Sequence, residues 1–242
     1  WWTVLVLLAA VTWVAVLLLP KRSWRWAFVR SATRVALRLM RIPFAVSGEE
    51  YLVPNKGIVV VNHSSYLDSL VLAAILPGEP AFVAKQELAG QLIAGPFLRK
   101  LGARFAERAV AQAGLKEVEV FTDLVRGGEQ LVFFPEATFF RMPGLLPFRL
   151  GAFTIACAAE TTVLPIAISG TRSILRGGQW FPRRGSVKVQ VLEPLAPGGR
   201  DFAAAIQLRD QARSKILAHC GEPDMSEKAV VFQRGGDGQT SG

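Results

Sequence analysis

The chain is 242 residues long, with 51% hydrophobic and 19% charged residues and 28 Lys and Arg against 19 Asp and Glu, a formal net charge of +9. That length buries a sizeable core in one large or two small domains, and the composition excludes a disordered chain. Two cysteines, Cys157 and Cys220, exclude a disulfide scaffold or a cysteine zinc site; two histidines, His63 and His219, leave little for a metal cluster, so no metal or other cofactor is expected. The basic excess suits an anionic partner: nucleic acid, an anionic membrane surface or a phosphorylated substrate.

Residues 1–20 carry no charge, and their polar side chains are Thr3 and Thr12. At 1.5 Å per residue the run spans roughly 27–30 Å, about one hydrocarbon core, and predicts a transmembrane or membrane-inserted helix with Trp1, Trp2 and Trp13 as interfacial anchors. A secretory signal peptide is disfavoured, because the basic residues follow the run and no small-x-small cleavage site comes after it. The start at Trp1 rather than Met is expected of a segment cut from a longer chain. Residues 21–43 follow with Lys21, Arg22, Arg25, Arg30, Arg34, Arg38 and Arg41 and no acid. Phe28, Ala32, Val35, Ala36 and Leu39 lie between the arginines as an apolar face. The pattern predicts a basic amphipathic helix on a membrane surface, against the plainer alternative of a solvated helix face. The positive-inside tendency then places the rest on the cytoplasmic side.

From residue 44 to residue 220, apolar runs alternate with helical stretches. Strands are expected over 57–62, 81–84, 130–134, 162–169 and 187–192. Helices are expected over 65–76, 91–101, 109–126, 148–160 and 201–219, the last capped by Asp201. This alternation predicts an α/β domain with a mixed β-sheet flanked by helices. Residues 221–242 read as a tail ending in the Gly-rich RGGDGQTSG.

Four features stand at or near strand ends, where open α/β sheets carry their sites. In the first, Asn62-His63-Ser64-Ser65-Tyr66-Leu67-Asp68, a helix capped at Ser65 puts His63 in the preceding turn and Asp68 in the first turn, where the two side chains can meet. The same Ser65-x-x-Asp68 is also a capping box, which needs no catalytic role. The second, Gly102-Ala-Arg-Phe105-Ala-Glu-Arg108, joins a flexible Gly to an Arg able to grip phosphate. The third, Phe134-Pro135-Glu136-Ala137-Thr138 followed by Arg141, sets a carboxylate, a hydroxyl and a guanidinium beyond a buried strand. The fourth, Val163-Leu164-Pro165-Ile166, is a strand whose proline fits an edge or bulged position.

In this order the four resemble the glycerolipid acyltransferases of the lysophosphatidate acyltransferase family. The family's H-x-x-x-x-D matches His63 and Asp68. Its G-x-x-F-x-x-R matches Gly102, Phe105 and Arg108, and its F-P-E-G-T matches Phe134, Pro135, Glu136 and Thr138. Two positions depart: Ala137 replaces the Gly, and Phe139 stands where an Arg often follows the Thr, so that Arg141 would take over its role. The stretch from Arg141 to Phe148, followed by Gly151, looks most like acyltransferase domains fused to acyl-activating domains in longer bacterial chains.

The resemblance implies a glycerolipid acyltransferase fold over residues 44–220 and catalysis by His63 and Asp68. It further implies substrate binding by Gly102, Phe105, Arg108, Glu136, Thr138 and Arg141. The acyl donor would be acyl-CoA or acyl-carrier protein. The acceptor would be a lysophospholipid at the cytoplasmic face of a bacterial inner membrane, first 1-acyl-glycerol-3-phosphate to give phosphatidate, then lysophosphatidylethanolamine or another lysolipid. The chemistry agrees: a histidine base can take the proton of an acceptor hydroxyl for roughly a 10²–10⁴-fold gain, while the carboxylate holds the imidazole. A non-enzymatic membrane-surface module would leave His63 dispensable. A nucleic-acid binder would spread its basic residues over the folded domain, which this chain does not do. His219, near a helix end, has no expected role.

Overall fold

An apolar strand covered on both faces must send alternate side chains into two separate cores, and that requirement organises this molecule. In the computed structural model, residues 2–54, 56–106, 115–138, 142–175 and 181–226 are described. The strands are β1 (Phe44–Ser47), β2 (Ile58–Val61), β3 (Ala81–Lys85), β4 (Arg104–Ala106), β5 (Leu131–Phe133), β6 (Val163–Ser169) and β7 (Val187–Val191). They form one seven-stranded sheet in the order β1-β7-β6-β2-β5-β3-β4. β6, β2, β5, β3 and β4 run parallel, while β7 is antiparallel to β6 and parallel to β1. The expected mixed α/β sheet is therefore present.

The helices are α1 (Trp2–Leu18), α2 (Arg22–Leu39), α3 (Leu67–Ile75), α4 (Gln86–Ala89), α5 (Ala94–Leu101), α6 (Leu115–Arg126), α7 (Gly151–Ala159), α8 (Thr171–Ile174) and α9 (Phe202–Cys220). Ile58 and Val60 of β2 pack with Phe121, Phe153 and Leu208 of α6, α7 and α9. Val59 and Val61 pack on the opposite face with Leu37 of α2 and Val71 and Leu72 of α3. Asp201 caps α9 as expected, its carboxylate accepting from the Ala204 N–H at 2.7 Å.

Two short strands escape the sequence pattern. β1 is a four-residue edge strand whose partner, β7, lies far along the chain, and β4 is a three-residue edge strand. The register with the β7 side slips by one residue between Ile166 opposite Val191 and Val163 opposite Leu195, so Pro165 fits the bulged alternative and not the edge one, β6 being a central strand. The Pro165 carbonyl accepts from the Leu192 N–H at 2.9 Å, so its missing donor faces the β7 side just beyond the last ladder pair, Ile166 with Val191. Proline there leaves the ladder with β2 intact and forgoes one bond to the β7 side, the one that an N–H at 165 would give the Leu192 carbonyl.

The N-terminal helices pack on the domain. Among the described residues no helix is long and apolar enough to cross a membrane. Over the described residues α1 runs for 17 residues and ends before Pro20. It folds back onto the domain instead: Val16 is buried with Trp26, Val29 and Leu101, and Trp13 Nε1 donates to the Ile93 carbonyl at 2.9 Å.

The arginines of α2 are largely turned to the protein. Arg30 donates to the carbonyls of Leu76 and Gly78, at 2.9 and 2.8 Å, and Arg34 to that of Ala74 at 2.9 Å. These carbonyls lie at the C-terminal end of α3, where the helix has run out of its own donors and its dipole favours a cation. Arg22 reaches the carbonyls of Leu101 and Glu79 and the carboxylate of Glu129, and Arg25 those of Leu19, Pro20 and Lys100. Four of the seven cations read as a membrane-facing stripe thus hold helix ends and turns together.

Replacing Arg30 with Met keeps most of the apolar stem and leaves two carbonyls without their donor. We expect a loss of about 1–3 kcal/mol in unfolding free energy, measured by chemical denaturation; an unchanged value would show that solvent satisfies those carbonyls.

Candidate active site

The parallel strands deliver their C-terminal ends to one edge of the sheet. His63 follows β2, Lys85 closes β3, Glu136 follows β5 and Thr171 follows β6. Asn62 locks the ends of β2 and β6 together: its amide donates to the Ile168 carbonyl at 2.9 Å and accepts from the Ile168 N–H at 2.8 Å.

His63 and Asp68 meet as the spacing allowed, with Nδ1 2.9 Å from Oδ2. Asp68 is fully buried and His63 is 17% exposed. Oδ2 also accepts the backbone N–H of Ser64 and Ser65 at 2.7 and 2.8 Å, and Oδ1 accepts the Thr171 hydroxyl at 2.6 Å. Both readings of the motif therefore hold together. The helix begins at Leu67, Ser65 Oγ accepts from the Leu67 N–H at 3.2 Å, and Asp68 reaches back to the Ser65 N–H as a capping carboxylate does. The same oxygen faces the imidazole. With Asp68 taking the Nδ1 proton, the lone pair of the neutral ring sits on Nε2. Phe134 stacks on the ring, centroids 4.2 Å apart and planes 25° apart.

Glu136 lies inside the protein rather than on the wall of the cleft described below. Oε1 accepts from the His63 backbone N–H at 2.6 Å and Oε2 from the Leu146 N–H at 2.8 Å, so this carboxylate carries the histidine from behind. Burial pushes its pKa up to about 8, against the two N–H donors that favour the anion. Next to it, Ala137 has φ 58°. The left-handed backbone explains the glycine of the family pattern and costs this chain roughly 1–2 kcal/mol.

Leu146 is itself clamped. Residues 221–226, expected as the start of a tail, run beside the loop instead. Leu145 N–H donates to the Pro223 carbonyl at 2.8 Å, Met225 N–H donates to the Leu145 carbonyl at 3.1 Å, and Glu222 bridges Arg172 and the Gly144 N–H.

A cleft of about 1180 Å³ opens at His63 and Thr138 and runs to α1 and α2, where Leu5, Leu8, Trp26 and Val29 line it. Its lining is mostly apolar, with Lys85 and Arg149 among its polar members. Neither cation belongs to the four sequence motifs: Lys85 stands at the end of β3, and Arg149 just past the stretch from Arg141 to Phe148. Gly102 and Phe105 are not part of the lining. Gly102 ends α5 at φ 83°, and a Cβ there would come within 2.3 Å of the Arg22 guanidinium. Phe105 lies in β4 under the Arg99 guanidinium. Arg108 and Arg141, and Phe139 with them, lie outside the described residues.

The profile of the family described as Acyltransferase matches residues 43–169, more than half of the chain. The chain belongs to the acyltransferase family. The putative 1-acyl-sn-glycerol-3-phosphate acyltransferase acl-2 of Caenorhabditis elegans is 30% identical over 70% of this chain and 61% of its own length. The human 1-acyl-sn-glycerol-3-phosphate acyltransferase alpha is 28% identical over 86% of this chain and 76% of its own. The chain thus spans about three-fifths of the first of these relatives. The crystal structure of the 1-acyl-sn-glycerophosphate (LPA) acyltransferase PlsC of Thermotoga maritima superposes with a TM-score of 0.70 at 20% identity, covering 97% of this chain and 90% of that one. That likeness shows the acyltransferase fold.

The buried Glu136 gives a pH test. Its folded pKa lies above the unfolded value of 4.5, so the stability it allows is fully present below that value and drains away as pH rises towards about 8. Thermal unfolding from pH 5 to 9 should show this decline in the wild type and a flatter profile in Glu136→Gln. Parallel profiles would assign the decline to other groups. Gln also offers one acceptor where two N–H groups now point, so Glu136→Gln should be less stable throughout at low pH.

Proposed function

We propose that this acyltransferase-family chain moves a fatty acyl group from a thioester donor, acyl-CoA or acyl-carrier protein, to the free hydroxyl of 1-acyl-glycerol-3-phosphate, giving phosphatidate. The observation that carries the reading is the Asp68-bonded imidazole at the mouth of an apolar cleft large enough for acyl chains. Nε2 takes the proton of the acceptor hydroxyl as its oxygen attacks the thioester carbonyl. The tetrahedral intermediate collapses, the C–S bond breaks, and the departing thiolate takes the proton back from the imidazolium. Ester and thiol are formed, with no acyl-enzyme, because the acceptor hydroxyl stands where a serine would stand in a triad. The names of the similar proteins favour 1-acyl-glycerol-3-phosphate as the acceptor. The positive charge that Lys85 and Arg149 bring to the cleft suits a phosphomonoester. On the resemblance, Arg108 and Arg141 would add to that charge.

His63→Ala and Asp68→Asn should nearly abolish transfer of labelled acyl chains to lysophosphatidate while leaving the protein folded. Substantial activity in His63→Ala would end the general-base reading. Lys85→Ala should lower kcat/KM for the acceptor by roughly ten- to a hundredfold, the cost of a charge-assisted hydrogen bond, with little change for the donor. A loss on the donor side would move Lys85 to the phosphates of CoA or carrier protein, and faster transfer to lysophosphatidylethanolamine would replace the proposed acceptor.

The same reading places the protein at a membrane. Val4, Leu7, Val11, Val14 and Leu18 of α1 are exposed, and so are Leu92 (91%) and Ile93 (73%) beside it. Such a face suits a helix lying in the interface, where acyl chains can pass from the bilayer into the cleft. The double variant Leu92→Asp, Ile93→Asp should co-float less with vesicles of anionic phospholipid; unchanged flotation would remove this face from the contact.

A further inference from the structure

Thr171 lies two residues past the end of the family match and in none of the four motifs, yet it touches the catalytic carboxylate. We propose that Thr171 is a positioning residue for acyl transfer: its hydroxyl sets the plane of the Asp68 carboxylate, so that Oδ2 meets His63 Nδ1 in line. The inference rests on the reading of His63 as the general base.

The hydrogen bonds of Asp68 are unevenly shared. Oδ2 receives His63 Nδ1 and the N–H groups of Ser64 and Ser65. Among the described residues Oδ1 has one donor, the Thr171 hydroxyl at 2.6 Å. Rotation about the last bond of an aspartate is soft and has no sharp preferred angle. Contacts at one oxygen leave the carboxylate plane free to rock; a contact at each oxygen fixes it.

The direction of the next link follows from counting protons. Thr171 has one hydroxyl hydrogen and gives it to the carboxylate, so in its 3.0 Å contact with Ser64 Oγ the serine must donate. The relay runs Ser64 Oγ–H to Thr171 Oγ1, and Thr171 Oγ1–H to Asp68 Oδ1, each bond polarising the next. Ser64 therefore serves both oxygens, one through its backbone and one through Thr171.

The fold delivers Thr171 to this place. It is fully buried at the start of α8. Asn62 fixes the register of β2 and β6 just before both chains leave the sheet. Between them Gly170 turns at φ 92°, and a Cβ there would lie 2.1 Å from the Ser186 carbonyl oxygen. The hydroxyl thus arrives from a strand about a hundred residues away along the chain, held as rigidly as the motif that it supports.

The test compares Thr171→Val, which keeps shape and removes the hydroxyl, with Thr171→Ser and Ser64→Ala. Steady-state kinetics varies donor and acceptor separately, and proton NMR follows the low-field Nδ1–H resonance of His63 in the protein without substrate. Thr171→Val should lose about tenfold in kcat, the lower end of what a hydrogen bond to a charged group is worth as a rate, with both KM values nearly unchanged. Its low-field resonance should shift or broaden. Thr171→Ser should restore rate and resonance, and Ser64→Ala should show a smaller change in the same direction.

A Thr171→Val enzyme with wild-type kcat and an unmoved resonance overturns the proposal, even if its melting temperature falls. If Thr171→Val does not fold, Ser64→Ala decides: a reduced kcat at constant KM upholds the relay, and a wild-type kcat overturns it. His63→Ala separates the two levels. An inactive His63→Ala beside a fully active Thr171→Val leaves the general-base reading standing and removes this inference alone; an active His63→Ala removes both.

Discussion

The buried carboxylate of Asp68 is the constraint around which this end of the sheet is arranged. A carboxyl group taken out of water is costly unless its lone pairs are used, and here two backbone N–H groups, a hydroxyl and an imidazole use them. Those partners come from the turn after β2 and from the helix after β6. Keeping the carboxylate satisfied therefore means keeping two neighbouring parallel strands in register, which Asn62 and Ile168 do directly. The imidazole is oriented as a consequence of solving that electrostatic problem.

A second carboxylate solves a different one. Glu136 holds the backbone of His63 and the loop at Leu146, and that loop is clamped by the chain after α9. The histidine is thus fixed through its ring by Asp68 and through its main chain by Glu136, from opposite sides. Burial holds Glu136 towards its neutral form, against the two N–H groups that favour its anion. The Ala137 turn beside it is strained, and the hydrogen bonds on Glu136 are part of what keeps it in place.

The N-terminal helices show how one composition serves two purposes. The apolar residues of α1 divide between a side packed on α2 and α5 and an exposed side continued by Leu92 and Ile93. The guanidinium groups of α2 that look like a charged surface in the sequence are turned onto carbonyls at the ends of α3 and α5. Long arginine side chains reach across several ångströms to do this, which their one-dimensional spacing does not reveal.

Local pattern alone determined a good deal: the mixed α/β class, five of the seven described strands, the capped final helix and the pairing of His63 with Asp68. Each depends on periodicity or on residues within five positions of each other, which is the range over which sequence spacing is a distance. The four motifs in order were enough for the family, because their chemistry is carried by residue type and spacing. Tertiary structure decided what depends on distant partners. The edge strands β1 and β4 lack the wholly buried apolar run that marks β2 and β5, and Pro165 sits in a central strand because β7 ends beside it. The greasy start packs on the domain because α2 offers it a complementary face. Glu136 turned inward because a backbone N–H 73 residues away needed an acceptor, and Thr171 reached the site only because β6 lies beside β2.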